Sequence, residues 1–222
     1  MCNIEKITNH IAAKIARHLK LDQDHEQVLA YGAFNILQIS YSILLVILFG
    51  AICDVLIEAL IISFTIAILR KYSGGVHAAS PNQCAVIGTL VAVGFGWVIK
   101  ELTPYLNSML INIFCGSVFL FGFFIMYRYA PVDTPNKPIK KEDKRKRLKR
   151  NSIRTLWIFV MGIGIAWVFH IEILGVNEKS ITSAIVVGVF WQSLTLTSLG
   201  YLFIHFVDLC LRKSMFLRGG ER

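Results

Sequence analysis

Charge is scarce in this chain. Only 17% of its 222 residues are charged, against 55% hydrophobic and a mean hydropathy of +0.59, so an ordinary water-soluble domain is excluded. Polar interruptions are also missing from its apolar runs, and about 20 uninterrupted apolar residues are what the hydrocarbon of a bilayer demands. Disorder is excluded by the 15 Phe, 4 Trp and 7 Tyr, which could not stay solvated. The five cysteines, at 2, 53, 84, 115 and 210, include no Cys-x-x-Cys pair and no zinc-type spacing, which leaves no metal site or cofactor to expect. Three of them fall at or near the side read below as cytoplasmic, so a disulfide framework is not expected. No span centre carries Lys or Arg, unlike a transporter coupled to ions or protons. Residues 1–21 lack the continuous apolar core of a cleaved signal peptide.

What is present is a set of apolar runs. Six spans are predicted, over residues 33–52, 55–69, 84–99, 106–127, 156–174 and 181–211. The basic residues sort sharply between them. The N-terminal segment, the second and fourth connections and the C-terminal tail hold 21 of the 23 Lys and Arg, which leaves Lys100 and Lys179 opposite. Cytoplasmic loops are the positive ones. The reading is therefore an all-α, polytopic membrane protein with six transmembrane helices, an N-terminal amphipathic helix and both termini cytoplasmic. It forms a single integral membrane domain over 1–222. Topology and anionic lipid account for the net charge of +9, so nucleic acid is not an expected partner and membrane lipid is.

Within 1–27, Ile4, Ile7, Ile11, Ile15 and Leu19 repeat at helical spacing, with Lys6, Lys14, Arg17 and Lys20 off that stripe. This predicts a helix lying on the inner leaflet. The acidic residues Asp22 and Asp24 then break it and offer a cap to the next helix. Cys53 and Cys115, within apolar runs, read as small buried hydrophobes. Asn35, Gln38 and Tyr41 in the first span, and Gln192, Thr195 and Ser198 in the sixth, read as polar contacts between helices.

The most informative stretch is 70–84, Arg-Lys-Tyr-Ser-Gly-Gly-Val-His-Ala-Ala-Ser-Pro-Asn-Gln-Cys. Gly74 and Gly75 release the backbone from helical geometry. Ser80 reads as a helix cap, Pro81 as the first helical residue and Gln83 as the partner in a capping box. Cys84 then falls in the first turn, where the helix dipole, with Arg70 and Lys71 nearby, favours thiolate over thiol. His77 precedes Cys84 by seven residues. In one helix they would stand roughly 10 Å apart, too far for proton transfer. A folded-back loop would bring them within reach as a Cys–His pair. Spacing alone leaves open a solvated histidine beside an inert cysteine. His205 and Asp208, near the cytoplasmic end of the last span, form a rival pair suited to capping or packing.

At these residues the chain resembles the AgrB family, membrane endopeptidases that process quorum-sensing pro-peptides in Gram-positive bacteria. The basic residue, Gly-Gly-Val-His-Ala and a cysteine seven residues after the histidine are similar to that family's active-site signature. Residues 129–139, Tyr-Ala-Pro-Val-Asp-Thr-Pro-Asn-Lys-Pro-Ile, resemble its second cytoplasmic loop, and Tyr31-Gly32 is a fainter likeness. The resemblance implies that His77 is the general base and Cys84 the nucleophile. Cys84 would cleave near the C-terminus of a small AgrD-like pro-peptide and hold the rest as a thioester. A substrate thiol or hydroxyl would then take the acyl group, giving a cyclic thiolactone or lactone. Arg70, Gly74, Gly75, Ser80 and Gln83 are the candidates to support substrate and oxyanion, with the Cys84 backbone N–H as a further donor. The resemblance places 70–84 as a catalytic loop and helix start on the cytoplasmic side, 128–154 as a basic cytoplasmic loop, and the protein in a homodimer. A small peptide exporter without protease activity and a non-catalytic scaffold are the competing expectations.

Overall fold

The computed structural model describes residues 3–76, 78, 80–133, 139 and 141–219, apart from the side chains of 3–5, 208 and 210–219. Among the described residues the chain is all-helical, 84% helix without a strand. It divides into two compact units, residues 1–45 and 46–222.

The first unit holds α1 (Asn3–Leu19) and the larger part of α2 (Gln23–Ile52). The break between them is set by Asp22. Its carboxylate accepts the His25 backbone N–H at 2.9 Å and lies 2.6 Å from His25 Nδ1, a side-chain cap at the start of α2. Along α1 the stripe Ile7, Ile11, Ile15 and Leu19 is exposed. In α2, Asn35 donates to the Tyr31 carbonyl at 2.9 Å, satisfying its amide within its own helix.

The second unit is built around α7 (Glu178–Leu194). It packs against α3 (Leu56–Ser73), α4 (Pro81–Leu102), α5 (Ser108–Tyr129) and α6 (Glu142–Val168), and α8 (Ser198–Gly219) follows it. Small residues let α7 come close to its neighbours, as expected where helices associate without a hydrophobic driving force. A Cβ on Gly188 would fall 2.7 Å from Thr65 Cβ, and one on Gly122 would fall 3.2 Å from Val189 Cγ1. Trp167 on α6 donates its indole N–H to Thr182 of α7 at 3.0 Å. Two apolar clusters result, one around Leu69, Met126, Leu156 and Val189, the other around Ala59, Ile62, Ala92 and Ala184. Large apolar side chains such as Leu90, Leu120, Phe124 and Ile158 remain exposed, as lipid-facing positions do.

Among the described residues, four helices are long and apolar enough to cross a membrane: α2, α4 with the short turn Thr103–Tyr105, α5 and α6. The pair α7 and α8, bent by 94°, would make a fifth. This differs from the six expected spans in three places. First, α3 is only 18 residues long and carries Glu58, Arg70 and Lys71, so it is short and charged for a complete span. Second, α6 begins at Glu142, so the basic run from Lys144 to Arg154 is helix rather than loop, and the helix stops at Val168. Beyond it the backbone reverses through His170 and Leu174 at positive φ, and Ile173 pairs with Val176. Third, the stretch 181–211 is not one helix. The Thr195 and Thr197 hydroxyls bond the Gln192 and Leu194 carbonyls, and the Leu196 and Thr197 amides reach back only three residues, to Ser193 and Leu194. Such local bonds compete with the helical ladder and turn the chain. Cys53 also departs from expectation. It lies exposed in the turn between α2 and α3, while Cys115 is half-buried.

Candidate active site

The site begins where α3 ends. The Ser73 hydroxyl bonds the Leu69 carbonyl at 3.0 Å, and Gly74 adopts φ of +72° with its N–H on the Arg70 carbonyl at 3.0 Å. Gly75 follows at φ of +134°, a conformation open to glycine and strained for other residues. Two glycines in succession thus turn the chain out of the helix.

Three other parts of the molecule hold this turn. From the connection after α5, Val132 donates its N–H to the Ser73 carbonyl at 2.9 Å and pairs with Gly74 as an isolated parallel bridge. From α7, the Gln192 side-chain NH2 donates to Ser73 Oγ at 3.0 Å and to the Gly74 carbonyl at 2.8 Å. Just beyond α7, the Thr195 carbonyl accepts the Val76 N–H at 3.3 Å. Arg70 closes the turn by donating Nη2 to the Val76 carbonyl. Ser73, Gly74 and Val76 are therefore fixed through backbone or side-chain bonds, on either side of Gly75. His77 and Ala79 lie outside the described residues.

The next described segment is the start of α4, and it follows the expected capping chemistry. Ser80 is the cap in an extended conformation, and Pro81 occupies the first turn. Ser80 Oγ accepts the Gln83 N–H at 3.2 Å, while its own hydroxyl donates to Gln83 Oε1 at 2.7 Å. The box thus closes side chain to side chain. Cys84 sits half-buried in this first turn, and its N–H donates to the Ser80 carbonyl at 3.0 Å. That amide, the expected oxyanion donor, is engaged in the helix, and the Gln83 amide is engaged by the cap. An oxyanion here needs donors from elsewhere.

Arg70 is the side chain that couples the two segments. Burial pushes its guanidinium down from its ordinary value, and the negative form of Cys84 draws it back up. Its Nε is buried with no hydrogen-bond partner. Of the residues singled out in the sequence, Arg70, Gly74 and Gly75 are gathered in one turn, and Ser80, Gln83 and Cys84 in the adjoining helix start. The rival pair is not gathered with them. His205 stacks on Tyr201, with centroids 6.1 Å apart, and the side chain of Asp208 lies outside the described residues. Among the described residues no group of three metal-ligating side chains occurs.

The second sequence motif reaches the same place. Val132 pairs with Gly74, and Asp133 forms an ion pair with Arg145 of α6 at 2.7 Å; residues 134–138 lie outside the described residues. Gln192 and Thr195 were expected to mediate helix packing, and their role in pinning the turn was not read from the sequence. The available signal was two polar residues three apart, just before a break in an apolar run.

Comparison with known proteins places the chain in a family. The family model for accessory gene regulator B matches residues 6–196. Two AgrB-like proteins of Clostridium perfringens, from strains SM101 and 13, are 35% and 36% identical over 206 residues, covering 92% of this chain and 96% of theirs. An AgrB-like protein of Listeria monocytogenes strain EGD-e is 28% identical over 136 residues, 60% of this chain and 63% of its own. No solved structure matches. The chain belongs to the AgrB family, which ties it to the processing of quorum-sensing peptides at a membrane.

Proposed function

We propose that this protein is a membrane-embedded cysteine endopeptidase that removes the C-terminal tail of a quorum-sensing pro-peptide and cyclises what remains. The Cys84 sulfur attacks the scissile carbonyl after His77 takes its proton. The C–N bond breaks, His77 returns the proton to the leaving amine, and the tail departs with the acyl group held on Cys84 as a thioester. A thiol or hydroxyl of the same peptide then gives its proton to His77 and takes the acyl group, which frees Cys84 and closes a thiolactone or lactone. Passing an acyl group from one thiol to another keeps nearly all its activation. Restricted water and an intramolecular acceptor favour ring closure over hydrolysis.

The observation that carries this reading is the pinned turn of Arg70, Gly74 and Gly75 leading to the capped helix start that holds Cys84. Arg70, anchored on the Val76 carbonyl, feels the charge of the Cys84 sulfur, so cation and nucleophile belong to one site. Its buried Nε, lacking a partner, gives the developing oxyanion a donor now that the Cys84 amide is engaged. Gly74 and Gly75 keep the turn beside it free of side chains. The substrate is a small pro-peptide delivered along the membrane surface, and the site faces the cytoplasm, where the basic residues gather.

The test is mass spectrometry of wild type and Cys84→Ala in nanodiscs, each mixed with the pro-peptide encoded beside the gene. Wild type should release a C-terminal tail and carry an acyl adduct on Cys84. Both products should be missing from Cys84→Ala, and His77→Ala should slow the reaction by at least about a hundredfold. Tail release that survives in Cys84→Ala would sink the proposal. Peptide transport without cleavage would assign the protein as an exporter instead.

A further inference from the structure

One side of α6 changes its chemistry along the helix without changing direction. Ser152, Thr155, Leu156, Ile163 and Ala166 are buried where α6 packs on its neighbours. On the opposite side Trp157, Met161 and Val168 are exposed, as side chains that meet hydrocarbon are. Back toward the helix start, in steps of three and four residues, that same side carries Arg154, Arg150 and Lys146. The cations therefore stand in line with the apolar stripe. Setting the orientation of a span needs only charge near its end, on any face, so this alignment calls for a separate reason.

The surface between these cations is hollowed. Lys146, Lys149, Arg150, Ile153 and Arg154 line an open hollow of about 300 Å³ whose wall is almost wholly apolar. The methylene stems thus form the wall, and the charged ends lie at the rim, as basic side chains arrange themselves at a membrane surface. Two rings mark the same level. Lys149 lies 4.2 Å over the Tyr127 ring, and Trp157 packs on Phe123 with centroids 5.1 Å apart. Tyr127 and Trp157 are both exposed, and exposed Tyr and Trp collect where hydrocarbon meets water. Lys146 has a carboxylate, Glu142, at 2.9 Å. Among the described residues no acidic side chain pairs with Arg150 or Arg154.

We propose that this side of α6 binds the headgroup of an anionic phospholipid. The phosphate sits among Lys149, Arg150 and Arg154, whose planar guanidinium groups offer paired donors to its oxygens. The glycerol and the first methylenes fill the hollow beside Ile153, and an acyl chain continues along Trp157 and Met161. An acidic peptide would satisfy the cations but would leave the hollow and the stripe below it uncovered. The lipid site is independent of the Cys84 chemistry.

The test places the full chain in nanodiscs of equal parts phosphatidylglycerol and phosphatidylcholine, and counts by native mass spectrometry the lipids that stay bound after release. Arg150→Gln combined with Arg154→Gln removes two rim charges. Lys141→Gln combined with Lys144→Gln removes two from the same helix start, outside the hollow. Wild type should retain phosphatidylglycerol about tenfold over phosphatidylcholine; the arginine pair should lose that preference, and the lysine pair should keep it within about twofold.

Equal losses in the two double variants would reveal a diffuse charge effect and overturn the site. Retention abolished by millimolar glycerol phosphate would mark a site for free phosphate and overturn the lipid assignment. Unchanged lipid retention in the arginine pair, with a raised KM for the pro-peptide, would give this face to an acidic peptide instead. If the arginine pair yields no monodisperse helical protein, Arg154→Gln decides alone, and an undiminished preference for phosphatidylglycerol in it overturns the proposal.

Discussion

Two adjacent glycines make opposite demands on the turn that follows α3. A Cβ on Gly74 would overlap the Val132 carbonyl, which is backbone and has little room to move. At Gly75 the obstacles are the side-chain ends of Thr195 and Gln192, at 3.0 and 3.3 Å, and these can give way. Both residues also sit at positive φ, which costs a side chain roughly 1–3 kcal/mol. Gly74→Ala is therefore expected to lower yield and thermal stability markedly. Gly75→Ala should fold, with a melting midpoint a few degrees lower, and lose at least about tenfold in kcat because it displaces the Gln192 carboxamide. Circular-dichroism melts beside tail-release assays would separate the two; a fully active Gly75→Ala would show that the close approach is incidental. Ser80→Ala is milder, removing one cap at about 1 kcal/mol.

Among the elements, those governed by local bonds were legible in the sequence. The start of α4 needs only Ser80, Pro81 and Gln83, all within four residues, and it forms as the capping rules require. The cap at Asp22 is equally local. What could not be read was distant. Gln192 reaches a turn 118 residues earlier in the chain, and an apolar run with scattered polar groups says nothing about such a partner. The break after α7 was missed for a related reason, since composition is apolar on both sides and only the threonine hydroxyls mark it. In α6 the basic run was taken as loop because charge masked its helical continuity. There Arg145 pairs with Asp133, Lys146 with Glu142 at 2.9 Å, and Lys149 lies 4.2 Å over the Tyr127 ring. A cationic helix beside the site is suited to attract an acidic peptide tail. Raising salt from about 0.05 to about 0.5 M should then raise the apparent KM several-fold and leave kcat unchanged. A salt-independent KM would remove that role. At the far end of α4, Lys100 donates to the Asp54 carboxylate and holds its carboxyl below the usual range. The pair's contribution is present above about pH 4 and lost as pH falls through the lower folded value. Melting midpoints of wild type should therefore drop more than those of Asp54→Asn between about pH 5 and about pH 3, by a small margin because both groups are exposed.

At the scale of the whole molecule, the orientation follows from how charge and cysteine are distributed over the helix ends. Arg70 and Cys84 lie at the loop between α3 and α4, while Cys53, Asp54 and Lys100 lie at the opposite ends of these same helices. The 22 residues of α4 run from the Cys84 end to the Lys100 end, about 33 Å at about 1.5 Å per residue, and the two side chains, 16 residues apart (100 − 84), are separated by about 24 Å along it. With α4 as a crossing helix, the two cysteines are expected on opposite faces of the membrane. The basic excess on the Cys84 side makes the cytoplasm the expected face for the proposed site. Cys53 is exposed, so it tests the orientation without an engineered label. In intact cells a membrane-impermeant maleimide should modify Cys53 and spare Cys84, and Cys84 should react only after permeabilisation. Variants keeping one cysteine at a time make the assignment unambiguous in a mass-shift gel. Labelling of Cys84 from outside would reverse the orientation, put the pro-peptide site on the wrong side for a newly made substrate, and remove the topological support for the proposed reaction. Labelling of both from outside would mean that α4 does not cross the bilayer.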